Sequence, residues 1–205
     1  MRIAVLVVGA CATGECLAQV ERTPTSILRH LDVDGGLPNA RVFTLAHTPD
    51  GYVWLGTYGG LARFDGLTFT TFTNEDLPSL GGGGIMALAV DDRGTLWIGT
   101  EEGRLVARDA RGFRPVEVPV RPGRRINAIR ADGAQRLWLG TQDGVWVMDV
   151  ATSSCTAVAA GLDAADVTHL VVDPAGAPWA LAGGVPHRWQ RDRWQAIPID
   201  AAEEM

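Results

Sequence analysis

Four tryptophans, Trp54, Trp97, Trp138 and Trp179, recur at separations of 43, 41 and 41 residues. A rare residue at chance spacing does not bring its neighbours into line, and here the neighbours align. Leu55-Gly56-Thr57, Ile98-Gly99-Thr100 and Leu139-Gly140-Thr141 follow the first three rings. Six residues before the last three stand Asp91, Asp132 and Asp173, with Thr48 in the first unit. Twelve and nine residues before the rings come apolar pairs: Val42/Leu45, Ile85/Leu88, Ile126/Ile129 and Val167/Leu170. The fourth unit is eroded, with Leu181 where glycine belongs and Gly184 one place early. Its Trp189 and Trp194 nevertheless match Phe64 and Phe69 of the first. A period of about forty residues marks a chain of stacked, similar units.

Each unit reads as four short strands. In the second, Ile85–Val90 is apolar on both faces, as a strand within a core must be. Asp91-Asp92-Arg93-Gly94 is a turn, with aspartate to bond the backbone and glycine to take positive φ. Leu96–Thr100, Leu105–Asp109 and Phe113–Val118 supply the other strands, and no stretch has helical periodicity. Four strands per unit define an all-β chain, a β-propeller of about four blades of four antiparallel strands. A single blade cannot bury a ring that carries about 150–250 Å² of surface, whereas stacked blades can. The glycine two residues later lets the neighbouring backbone approach. The repeated Trp, Gly and Asp therefore read as structural.

Residues 1–18 read as a secretory signal: Met1-Arg2, an apolar run over Ile3–Val8, then small residues up to Ala18. The alternatives are a buried first strand and a lipoprotein acylated at Cys11. The run is too short for a membrane-spanning helix, which needs about 20 apolar residues. Residues 19–26 are a short linker and 27–205 carry the repeats. Cleavage removes Cys11 and Cys16, leaves Cys155 alone and so excludes an intrachain disulfide or thiolate cluster. Eighteen basic residues, all arginine, against 24 acidic ones give a net charge of −6. That balance argues against a general nucleic-acid binder.

The runs from Trp54, Trp97 and Trp138, above all Leu96-Trp97-Ile98-Gly99-Thr100 with Gly103, resemble the two-component regulator propeller repeat. The opening Leu31–Asn39 segment with Val42-Phe43, and Gly59–Gly66, resemble the same family's periplasmic sensor region. The resemblance spans residues 27–197. It implies a periplasmic, ligand-sensing propeller coupled through a membrane span to a histidine kinase or diguanylate cyclase. It also implies a small-molecule ligand such as a glycan; an anionic sugar is the alternative the arginines suggest, and we expect no cofactor and a homodimer in the full-length sensor. The family's propellers usually have seven blades, and this chain shows four, with no membrane span or output domain. We therefore expect an incomplete propeller, the N-terminal piece of a longer sensor or a truncated product. Ile27–Val33 would be the outer strand of its last blade.

Enzyme signatures are missing: no Gly-x-Ser-x-Gly, Walker loop, His-Glu-x-x-His or Cys-x-x-Cys. His30, His47, His169 and His187 have no metal spacing. Asp32 and Asp34 have the opening spacing of a calcium loop without its remaining ligands. Gly81–Gly84 reads as a flexible loop entering the second blade. Residues 104–136 carry nine arginines against three acids, either solvated strand faces or an anion-binding patch. Loops leading into first strands and those after second strands share one end of a propeller. That end gives the candidate ligand-binding residues Arg41, Tyr58, Glu101, Glu102, Arg125, Asn127, Gln142 and Asp143. A second reading is a propeller enzyme resembling streptogramin lyases, and a third a protein-binding scaffold; fold alone decides neither.

Overall fold

The computed structural model describes residues 33, 35–133, 135–158, 160–162 and 165–198. The expectations for the signal, the linker, Cys11, Cys16, His30 and the Asp32/Asp34 pair lie outside the described residues. So does the strand expected at Ile27–Val33, except for Val33, which sits in a turn.

Four four-stranded antiparallel sheets follow one another along the chain. Blade 1 holds β1 (Val42–His47), β2 (Val53–Thr57), β3 (Gly60–Phe64) and β4 (Phe69–Phe72). Blade 2 holds β5 (Ile85–Val90), β6 (Leu96–Thr100), β7 (Leu105–Asp109) and β8 (Gly112–Val116). Blade 3 holds β9 (Ile126–Ala131), β10 (Arg136–Thr141), β11 (Gly144–Asp149) and β12 (Cys155–Ala157). Blade 4 holds β13 (Val167–Val172), β14 (Pro178–Ala182), β15 (Val185–Gln190) and β16 (Arg193–Ala196). Each sheet is a simple meander in chain order, as two-residue and slightly longer turns dictate. A 3₁₀ turn, Pro78–Leu80, stands before blade 2. Gly183-Gly184, both at positive φ, form the β14–β15 turn, which explains the early glycine of the fourth unit.

The first strands do not alternate simply. In β1 the partner of Val42 is Thr57 and that of Thr44 is Gly56, so Phe43 is the extra residue of a β-bulge. The same irregularity falls after Ile85, Ile126 and Val167. A bulge lets residues three apart share a face, which is why the apolar pairs stand at twelve and nine residues before the tryptophans. The bulged residues Phe43, Met86, Asn127 and Thr168 leave the ladder.

Packing joins consecutive blades. Trp54 of blade 1 clusters with Ile85, Leu88 and Val106 of blade 2. Trp97 clusters with Ile126, Ile129 and Met148 of blade 3, and Trp138 with Val167, Leu170 and Trp194 of blade 4. These three rings are 0%, 1% and 3% exposed. Each covers about 150–250 Å², worth roughly 4–6 kcal/mol as an upper bound on area grounds. The glycine two residues on is a socket: a Cβ on Gly56, Gly99 or Gly140 would lie 2.8 Å from Ile85, Ile126 or Val167 of the next blade. At Gly99 and Gly140 that neighbour is a branched side chain, whereas backbone approach was expected; at Gly56 the Ile85 carbonyl closes in as well.

First strands line up as β1 beside β5, β5 beside β9 and β9 beside β13, and among the described residues the sheets are not closed into a ring. Val42 is 37% and Leu45 62% exposed, although their counterparts in blades 2–4 are buried. At the other end Trp179 is only half-buried. The fourth ring is therefore not a core ring, because no fifth blade lies over it among the described residues.

Candidate functional site

The loops before first strands and after second strands do meet at one end of the blades. Gly84 and Glu101 pair by backbone, as do Arg125 and Gln142 (Gln142 N to Arg125 O, 3.2 Å) and Asp166 and Gly183. Neighbouring blades touch there too: Tyr58 packs against Gly84, and Arg124 O crowds Gly103.

Much of the polar capacity of the expected residues goes into holding these loops. The Glu101 carboxylate accepts the Gly84 amide at 3.3 Å, and that of Glu102 accepts the Gly82 amide at 3.1 Å. The Gly81–Gly84 segment, read from sequence as flexible, is thus pinned by two carboxylates. Asn127 Nδ2 donates to Asp166 Oδ1 (2.8 Å) and Val167 O (3.0 Å), stitching blade 3 to blade 4. Gln142 Oε1 accepts the Arg125 amide at 3.2 Å. Arg41 lies over the Phe43 ring, 5.0 Å from its centroid, and Tyr58 is 56% exposed.

Along the inner strands a groove of about 210 Å³ runs beside the four bulges. Phe43, Met86, Asn127 and Thr168 line it together with Arg130 and His169. His169 Nδ1 and Thr168 Oγ1 are 3.1 Å apart. Of the eight sequence candidates only Asn127 lines this groove. The other lining residues were missed; for Phe43, Met86 and Thr168 the reason is that the bulge changes their facing and no spacing in the sequence announces it. A larger edge cleft of about 840 Å³ lies beside β7 and β8, far from the inner strands. Arg104 bridges its wall, from Glu102 Oε2 (3.2 Å) to the Pro78 carbonyl (3.2 Å). The inner groove is the better candidate, since all four blades converge on it.

The arginine-rich stretch is dispersed. Arg108 reaches back to Asp50 at 2.8 Å while lying over Trp54, Arg114 lies over Trp97, and Arg136 over Trp138. Guanidinium groups stacked on the repeat tryptophans fit the solvated-face reading. What remains of an anion patch is Arg121 and Arg124 flanking Asp143, at 3.9 and 3.5 Å, beside Arg125. Cys155 is half-buried, which pushes its thiol up from the ordinary range. Among the described residues no cluster of His, Cys, Asp or Glu is grouped to hold a metal, and no helix is long and apolar enough to cross a membrane.

Sheets stacked by interlocking tryptophans around a shared inner groove define an open β-propeller. The family model of the two component regulator propeller matches residues 36–59 of blade 1 and 79–102 of blade 2. The fold is similar to the extracellular domain of BT4673 from B. thetaiotaomicron, described as a one component system (TM-score 0.70, 22% identity). That match covers 78% of this chain and 23% of the other. The extracellular domain of BT3049, assigned to a hybrid two component system of the same organism, aligns with a TM-score of 0.64 and 23% identity over 77% of this chain and 22% of that one. Virginiamycin B lyase from Staphylococcus aureus aligns with a TM-score of 0.67 and 18% identity, over 82% and 58% of the two chains. The chain thus spans less than a quarter of the length of the two extracellular domains. None of the curated proteins matches it in sequence.

Proposed function

We propose that this chain is the ligand-sensing part of an extracytoplasmic propeller in a two-component-type sensor, a piece of a longer signalling protein. The observation that carries this is the repeat itself: two of the four blades match the regulator-propeller model, in a fold similar to extracellular domains of bacterial signalling systems. The ligand is a small molecule, a glycan or anionic sugar. It meets the loop end around Arg41, Tyr58 and Arg125 and the mouth of the inner groove at Asn127. Glu101, Glu102, Gln142 and Asp143 shape that surface by fixing its loops. Export by a signal over residues 1–18 and pairing of the full-length sensor belong to the same reading.

Thermal-shift screening of neutral and acidic oligosaccharides, followed by calorimetry on each hit, tests it. Saturable binding that Tyr58→Ala and Arg125→Ala weaken supports the sensor; binding unchanged in both variants removes these residues from the site. The likeness to virginiamycin B lyase keeps one enzymatic reading alive, and incubation with a streptogramin separates the two. Turnover supports the lyase, binding without turnover the sensor, and a protein ligand in place of a sugar the scaffold.

A further inference from the structure

The loop that leaves blade 2 is fastened by its backbone. The Gly123 amide donates to the Glu102 carbonyl of the β6–β7 turn at 3.1 Å, and the Arg124 amide to the Arg121 carbonyl at 3.0 Å. Gly103 lies against the loop at φ +82°, where a Cβ would stand 2.5 Å from the Arg124 carbonyl oxygen. At its end, the Arg125 amide and carbonyl both bond Gln142 of the β10–β11 turn at 3.2 Å. With the backbone held in this way, the side chains of Arg121, Arg124 and Arg125 are placed beside Asp143 of that turn.

Asp143 pairs with them only loosely. Arg124 Nε stands 3.5 Å from its Oδ1 and Arg121 Nε 3.9 Å from its Oδ2, beyond the ~2.7–2.9 Å of a charge-assisted hydrogen bond. Arg108–Asp50, Arg136–Asp132 and Arg188–Asp173 close to 2.8, 2.8 and 3.0 Å, so the chain makes tight pairs elsewhere. Asp143 Oδ2 and Arg125 Nε are both buried with no hydrogen-bond partner among the described residues. An acceptor and a donor thus go unmatched in one cluster, although buried polar groups are normally paired. Neighbouring acids are already committed: Glu101 to the Gly84 amide, Glu102 to the Gly82 amide and Arg104, and Asp166 to Asn127. Three guanidinium groups against one carboxylate leave two positive charges over, in a chain of net charge −6.

We infer that Arg121, Arg124 and Arg125 form an oxyanion subsite for the sensed ligand, and that the Asp143 carboxylate is the internal competitor for it. The ligand is acidic: the carboxylate of a uronic sugar or a sulfate ester takes the position between Arg121 and Arg124 that the aspartate now holds at a distance. Planar guanidinium groups grip either oxyanion through paired N–H donors. Asp143 sets the selectivity, because a neutral sugar cannot take over its ion pairs and a ligand with its own negative charge can. This subsite rests on the sensor reading, since it lies at the loop end where that reading puts the ligand.

Calorimetric titration of the full chain with trigalacturonate, a sulfated chondroitin disaccharide and maltotriose tests it. At least one acidic probe binds, and which one tells a carboxylate ligand from a sulfate ester; maltotriose does not compete with it. Binding weakens as salt rises, because the arginines are largely exposed. Arg121→Gln, at a side chain 78% exposed and so of little consequence for folding, weakens it about two- to fivefold, the worth of one exposed ion pair. Asp143→Asn, which removes the competitor and keeps the shape, tightens it by a similar factor, whereas a carboxylate that merely braced the loops would give weaker binding on removal. Arg124→Gln repeats the loss at the other carboxylate oxygen and stays informative if Asp143→Asn does not fold. No binding of either acidic probe overturns the inference, and so does acidic binding that Arg121→Gln leaves unchanged or that is no tighter in folded Asp143→Asn. Maltotriose bound in place of the acidic probes overturns it while leaving the sensor reading intact; that reading fails instead on streptogramin turnover or a protein ligand.

Discussion

The indole Nε1 of Trp97 donates to Asp91 Oδ2 at 3.0 Å, while Oδ1 of the same carboxylate accepts the amides of Arg93 and Thr95. One residue thus closes the turn between two strands and satisfies the only polar atom of a buried ring. Trp138 with Asp132 (3.0 Å) and Trp179 with Asp173 (3.1 Å) repeat the relationship. In blade 1 the Thr48 hydroxyl takes the aspartate's place, accepting from Trp54 at 2.9 Å and donating to Asp50.

Asp91→Ala leaves a buried N–H without its acceptor and opens the turn. The expected loss is about 1–3 kcal/mol in urea denaturation. Asp91→Asn, which keeps an acceptor oxygen, costs less; equal losses would show that charge and not the hydrogen bond matters.

Trp138→Ala should cost about 3–5 kcal/mol, as for other buried large aromatics. Trp179→Ala, at a half-buried ring, should cost less than half as much. Similar losses at the two positions would mean that the following blade contributes little to burying the indole.

Gly99→Ala forces a methyl against Ile126 and Ile129 and should cost about 1–3 kcal/mol by overpacking. Adding Ile126→Val relieves part of the strain, so the double variant is more stable than the sum of the two losses. Strict additivity would show that the socket is not shared across the junction.

Asp173 is held below the ordinary carboxylate range by the Trp179 indole, then by the Ala177 amide and Arg188. Amides of Thr68, Thr73 and Thr152 hold Asp65, Asp76 and Asp149 down likewise. Depressed folded values mean that the stabilisation is complete above the unfolded pKa of about 3.9 and disappears as pH falls through the folded values. Denaturation midpoints should hold steady above about pH 5 and drop below about pH 4. Asp173→Asn should flatten part of that fall; a midpoint that rises on acidification would contradict the assignment.

The blades were legible because the period, the turn aspartates and the apolar pairs each follow from local chemistry. Asp91 was expected to bond its own turn, and it does. That its second oxygen serves Trp97 was hidden, since hydrogen-bond pairing six residues apart is a property of the folded hairpin and not of spacing alone. The loop end was readable from strand order, which brings Arg125 to Gln142 and Gly84 to Glu101. The inner groove was not readable, because a bulge at Phe43, Met86, Asn127 and Thr168 reverses the facing that simple alternation assigns.

Indole N–H exchange measured by NMR in deuterated buffer tests most directly whether each ring is shielded by the blade that follows it. Trp54, Trp97 and Trp138 should exchange only through global unfolding, and Trp179 far faster, through local opening of an uncovered face. Four indoles exchanging at one common rate would contradict the account.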